Sequence, residues 1–175
     1  MDNEKRIEVF ILDDGILTPV EDWKQVEDPT VAEAVVIRNE FGQCFELSPV
    51  ESDKDMKFDD ALAWARERGG NTGTRKQWID VYEAIHTAGL NDALRLIGGD
   101  PIRRDWYWTC EKDSEQSNAR NAWLFNGRNG YLYYTYTRFL TIAARVFRAF
   151  QSSPETLNLS NLAGAEDIDC GHECH

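Results

Sequence analysis

Long apolar runs are missing from this 175-residue chain. The first apolar stretch, residues 7–12, is closed by Asp13 and Asp14, and no segment approaches the roughly 20 apolar residues that cross a bilayer. Membrane insertion is therefore not expected. Nor does the start of the chain show the apolar core and small-residue cleavage site of a secretory leader, which points to a cytoplasmic or virion-associated protein. Basic charge is also short. Nineteen Lys and Arg face 31 Asp and Glu, a net charge of −12, which repels phosphate backbones and anionic lipid and argues against nucleic acid as a partner. Histidine is scarce: outside the last few residues only His86 occurs. The four cysteines, Cys44, Cys110, Cys170 and Cys174, lack a disulfide-scaffold spacing, and without a leader they are expected to be reduced.

What is present is enough for one domain with its own core, over residues 1–150. Residues 7–12 read as a strand followed by a turn at "DDG", and residues 21–32 read as acidic and irregular. A hairpin is expected from strands over 34–37 and 43–47. In "FDDALAWARERGG" a helical stripe of Phe58, Leu62 and Ala65 has Asp59 and Asp60 in its first turn and stops at Gly69 and Gly70. A second helix opens on the capping-box pair Thr74 and Gln77, buries Trp78, Tyr82 and Ile85, and ends at Gly89. "NDALRLIGG" suggests a third, short helix. Period-two patterning then places strands over 106–110, 121–126, 131–136 and 143–150, an α+β order. After Phe150 the composition turns polar, and residues 151–175 read as a mobile or loosely docked tail.

The late strands carry an unusual mixture. "YLYYTYTR" points Tyr131, Tyr133, Thr135 and Thr137 to one face and Leu132, Tyr134, Tyr136 and Arg138 to the other, so both faces carry rings. One face can join a core. The other then meets solvent, a loop or a ligand, and Tyr, Trp, Asn and Arg are the types that build recognition surfaces. The competing reading is an inert sheet with cross-strand aromatic pairs. Trp78, Trp108 and Trp123 are expected in the core by their positions, Trp106 stands between core and surface, and Arg145 and Arg148 are expected to pair with carboxylates or carbonyls near the last strand.

Three ordered segments, "ALAWARERGGNTGTRKQW", "DWYWTCEKDSEQSNARNAWLFNGRNG" and "ARVFRAF", together resemble a bacterial C-type-lectin-like domain family over roughly residues 34–150. The matching positions are Gly69, Gly70, Thr74, Arg75, Trp78, Tyr107, Trp108, Thr109, Ala122, Trp123, Gly130, Arg145, Arg148, Ala149 and Phe150. Gly73 stands where that family usually has proline, and Cys110 where serine is common. The resemblance implies a C-type-lectin-like fold, with two main helices packed on antiparallel strands, paired first and last strands, and late strands presenting a ligand surface. A subset of such proteins are the variable proteins of diversity-generating retroelements in phage and bacteria, which display hypervariable residues there.

On this reading the ligand-binding residues are Asp105, Trp106, Glu111, Lys112, Asn118, Asn121, Phe125, Asn126, Arg128, Tyr131, Tyr133, Tyr134, Tyr136 and Arg138. The ligand is a protein or glycan recognised without chemistry, and a homo-oligomer is left open. The alternative is a structural module of a phage tail or cell-surface assembly. No catalytic residue, cofactor or metal site is expected: no nucleophile is placed beside His86, the pattern of a calcium-dependent sugar site is missing, and the crowded "DCGHECH" lacks a zinc layout.

Overall fold

The computed structural model describes residues 6–112, 121–136 and 140–150, with the backbone only at Thr135 and Tyr136. It is a mixed α+β structure whose strands form two antiparallel sheets. Among the described residues eight strands appear in chain order: β1 (Glu8–Asp13), β2 (Ile16–Pro19), β3 (Ala34–Arg38), β4 (Cys44–Glu51), β5 (Trp106–Lys112), β6 (Asn121–Asn126), β7 (Leu132–Tyr136) and β8 (Arg145–Ala149). Four helices, α1 (Val20–Trp23), α2 (Phe58–Glu67), α3 (Arg75–Thr87) and α4 (Leu90–Leu96), lie between them.

The larger sheet has the order β2-β1-β3-β4-β8, and the smaller β5-β6-β7. The expected pairing of first and last strands does not occur. β8 lies along β4, with Glu46 opposite Arg148. The free side of β1 is taken instead by β2, because Asp14 and Gly15 both adopt positive φ, at 56° and 77°, and turn the chain back in a two-residue hairpin. That second strand, and α1 inside the segment expected to be irregular, carry too little apolar periodicity to be read from sequence.

The main core joins both sheets through α3. Trp78 is fully buried and stacks on Tyr107 at 4.9 Å and on Phe125 at 4.6 Å, with Phe147 of β8 at 4.9 Å. The capping box at Thr74 and Gln77 forms as expected and fixes where α3 begins. Val81 and Ala84 form the buried stripe, while Tyr82 and Ile85 pack at its margin. A second cluster places Phe58 of α2 edge-on to Trp108 at 5.3 Å, with Leu124 and Ile142 around them.

Gly70 lets the chain cross β8 closely: a Cβ there would stand 2.2 Å from the Phe147 carbonyl oxygen, and Asn71 and Phe147 exchange backbone hydrogen bonds at 2.9 and 2.8 Å. Arg145 and Arg148 serve structure, as their position suggested. Fully buried, Arg145 donates to the carbonyls of Ser48, Pro49 and Asp100 at 3.1, 3.2 and 2.7 Å and to Glu51 at 3.3 Å. Arg148 donates to the Arg68 carbonyl at 2.8 Å. Cys110, buried in β5, is disulfide-bonded, against the expectation of reduced thiols.

Candidate functional site

The register of the small sheet sorts the late residues onto two faces. Opposite Phe125 stand Tyr107 and Leu132, and opposite Trp123 stands Tyr134, all on the face that meets α3. Trp108, Leu124 and Tyr133 share the other face. Only the end of the strand nearest the helix is absorbed by the core, where Leu132 reaches the main cluster. Tyr133 and Tyr134 are each 51% exposed, and Tyr131 is 60% exposed. Tyr131, Tyr133 and Tyr134 are therefore not core.

Two of the exposed tyrosines, Tyr133 and Tyr134, are each backed by a tryptophan. On one face Tyr133 meets Trp106 edge-on at 5.3 Å. On the other Tyr134 lies 4.8 Å from Trp123, whose ring carries the Arg75 guanidinium 4.3 Å above its centroid, and Arg75 is held in turn by Glu111. Trp123 is thus half-buried under an arginine, where a core position was expected. It stands on the helix-facing side of β6, against Arg75 at the first residue of α3. Arg75 was not foreseen as part of this surface, because its contact with Trp123 links the start of a helix to a strand far along the chain.

Phe125 must be removed from the surface set. It is fully buried between Trp78 and Tyr82, since its side chain points to the same side as Tyr107 and the core lies there. Other expected contact residues are occupied by local structure. Asn126 Oδ1 accepts from Arg128 N–H at 2.8 Å and Asn129 Oδ1 from Tyr131 N–H at 3.0 Å, so these amides shape the β6–β7 turn. Asp105 accepts from Trp106 N–H at 2.8 Å and from Arg103 at 3.2 Å, opening β5. Lys112 stands 5.6 Å over the Phe58 ring. Asn121 is half-buried, and Arg128 is exposed at the turn. The rings thus make the surface while several amides build its frame.

Asn118, Arg138 and the Tyr136 side chain lie outside the described residues, as do Cys170, Cys174 and the histidines beside them. Among the described residues no group of three His, Cys, Asp or Glu is placed to hold a metal ion. No helix among them is long and apolar enough to cross a membrane.

Beneath the surface, a polar network ties β5 to the larger sheet. Tyr107 Oη donates to Glu51 at 2.7 Å and accepts from Arg103 N–H at 2.9 Å. Burial pushes the Tyr107 phenol up to about 12, and the neighbouring Glu51 carboxylate acts in the same direction. The same burial draws the Arg145 guanidinium below its ordinary value, against Tyr107 and Glu51, which favour its charge. This network fixes β5 and so the base of the aromatic surface. No family model matches the chain, and none of the curated proteins matches it.

Proposed function

We propose that this protein is a recognition domain whose late strands bind a ligand by surface complementarity, without chemistry. One observation carries the reading: Tyr133 and Tyr134 project from opposite faces of one strand, both half exposed, and each is braced by a tryptophan. Braced rings lose little conformational freedom on binding, which is why Tyr and Trp dominate paratopes. Their platform is a hairpin held rigid by Asn126 and Asn129 over a packed core. An inert strand would bury the rings of one face, and this one leaves Tyr133 and Tyr134, on opposite faces, both half exposed.

The fold we propose for the domain is C-type-lectin-like. What supports it is a helix pair ahead of a small late sheet, and a last strand that returns to the larger one. That the first and last described strands pair with other neighbours and not with each other is a departure from that pattern. We further propose that the surface belongs to the variable proteins of diversity-generating retroelements, with Trp106, Tyr131, Tyr133 and Tyr134 among the positions that vary. Sequencing the encoding locus across its source population tests this. Adenine-templated substitutions clustered between codons 105 and 138 are the expected result, and an invariant locus would leave a fixed recognition or assembly module.

The recognition role has its own test. Tyr133→Ala combined with Tyr134→Ala is expected to leave the far-ultraviolet dichroism and a single cooperative melt in place. Collapse of the fold would instead assign the tyrosines to the core.

A further inference from the structure

The two sheets treat their edges differently. At the β2 edge the strand is short, ends at Pro19 and is followed after Val20 by Glu21 and Asp22, devices that discourage strand addition. β8 is covered by its bridge to Asn71. β5 is engaged on its outer side, with Trp108 N–H donating to the Ala143 carbonyl at 3.1 Å and Cys110 N–H to that of Gly73 at 2.7 Å. Among the described residues β7 has none of these guards along its own length, although Arg138 follows two residues beyond its end in sequence. Leu132–Tyr136 contains no lysine and no proline, its register with β6 is unbroken, and no strand among the described residues lies on its outer side.

The direction of its backbone groups follows from the ladder. Asn126 N–H donates to the Tyr131 carbonyl at 2.9 Å, so that pair is hydrogen-bonded. Antiparallel pairs alternate, which makes Leu124/Tyr133 and Ala122/Thr135 hydrogen-bonded as well. The N–H and C=O groups of Leu132, Tyr134 and Tyr136 then face away from β6. They present the spacing that another extended backbone would match.

We propose that the ligand of this surface is an extended, net-basic peptide segment of a protein partner, which adds to β7 as a fourth strand. The proposal rests on the recognition reading above and names the class of partner. A glycan offers no repeating backbone donors and acceptors at strand spacing. A second copy of this chain would bring another −12 of charge to the interface, whereas a lysine- or arginine-bearing segment is drawn toward it. The flanking rings suit such a segment. Its side chains alternate between faces and meet Tyr133, braced by Trp106, on one side and Tyr134, braced by Trp123, on the other, where a cationic group can lie over a tyrosine ring as Arg75 does over Trp123.

The test is selection of a displayed library of random 12-residue peptides on the full chain, run beside an immobilised glycan panel. Enriched peptides are then resynthesised with N-methyl groups at alternate residues, which leaves charge and side chains unchanged. The expected result is net-basic peptides whose affinity falls at least tenfold on N-methylation in one of the two alternations, and at least tenfold in the folded Tyr133→Ala/Tyr134→Ala variant. Peptides that tolerate N-methylation in both alternations, or that are acidic, overturn strand addition while leaving the recognition surface standing. Glycan binding that the tyrosine changes abolish, with no peptide enriched, does the same. Binding of neither class overturns both.

Discussion

At the scale of single residues, the most consequential group outside the aromatic surface is Arg145. It is fully buried and spends its donors on three carbonyls and Glu51, so it clamps β8 to the far end of β4 and to the loop before β5. Arg145→Ala is expected to cost about 3 kcal/mol or more in a denaturant titration, since it leaves several buried acceptors unmatched. Arg145→Lys should recover only part of that, because an ammonium cannot reproduce the planar fork. Tyr107 makes a separate, pH-resolved prediction. Its folded pKa, raised to about 12 by burial, exceeds the unfolded phenol's value near 10, so its stabilisation is complete below pH 10 and is lost as pH rises toward 12. Across that window unfolding free energy should fall with an added slope of about 1.4 kcal/mol per pH unit, and Tyr107→Phe should remove the added slope. A slope unchanged by the substitution would assign the alkaline loss to other groups.

At the scale of elements, the glycine before the last strand's crossing point is the sharpest constraint. Gly70→Ala puts a Cβ 2.2 Å from the Phe147 carbonyl oxygen, backbone against backbone, where no rotamer change relieves the clash. A loss of about 2 kcal/mol is expected, read as a lower melting temperature with the dichroism of the remaining fold unchanged. This turn was legible in sequence as a helix stop, because glycine pairs after an amphipathic stripe are strong punctuation. Its second role, admitting β8, was not, because the contact links residues far apart in the chain. The same division runs through the fold. The α2 and α3 helices, the β3–β4 hairpin and most late strands carry local signals of period, cap and turn. Which strand pairs with β8, and whether Trp123 is covered, depend on tertiary register. The exposed tyrosines were legible as a row too many for one core face, but Phe125 was not separable from them, since a single strand does not reveal which end of its buried face the helix covers.

At the scale of the whole molecule, the excess of acid sets the response to pH and salt. With a net charge of −12 the compact state works against its own repulsion, which salt screens within a Debye length of roughly 8–10 Å. Glu46 acts in the same direction: burial beside β8 raises its pKa above the ordinary carboxylate value, despite the opposing Arg148 charge. A carboxyl whose folded pKa is raised stabilises the fold fully below its unfolded pKa and loses that contribution as pH rises through the folded one. Both effects predict a higher melting temperature at pH 4.5, the ordinary value from which the Glu46 carboxyl is raised, than at pH 8.5 in dilute buffer. Adding salt to several hundred millimolar should raise the pH 8.5 value and narrow the gap. The two contributions separate in Glu46→Gln, which removes the buried carboxylate and one unit of surface-adjacent charge together. If it narrows the gap far more than a Glu→Gln change at exposed Glu67, burial at the β4–β8 ladder is the dominant cause; if the two changes act alike, net charge is. Either way the acidic surface is a general field around the domain that draws a basic strand in, while Arg75 over Trp123 and Arg128 at the β6–β7 turn restrict where along the β7 edge the strand's own cations can lie.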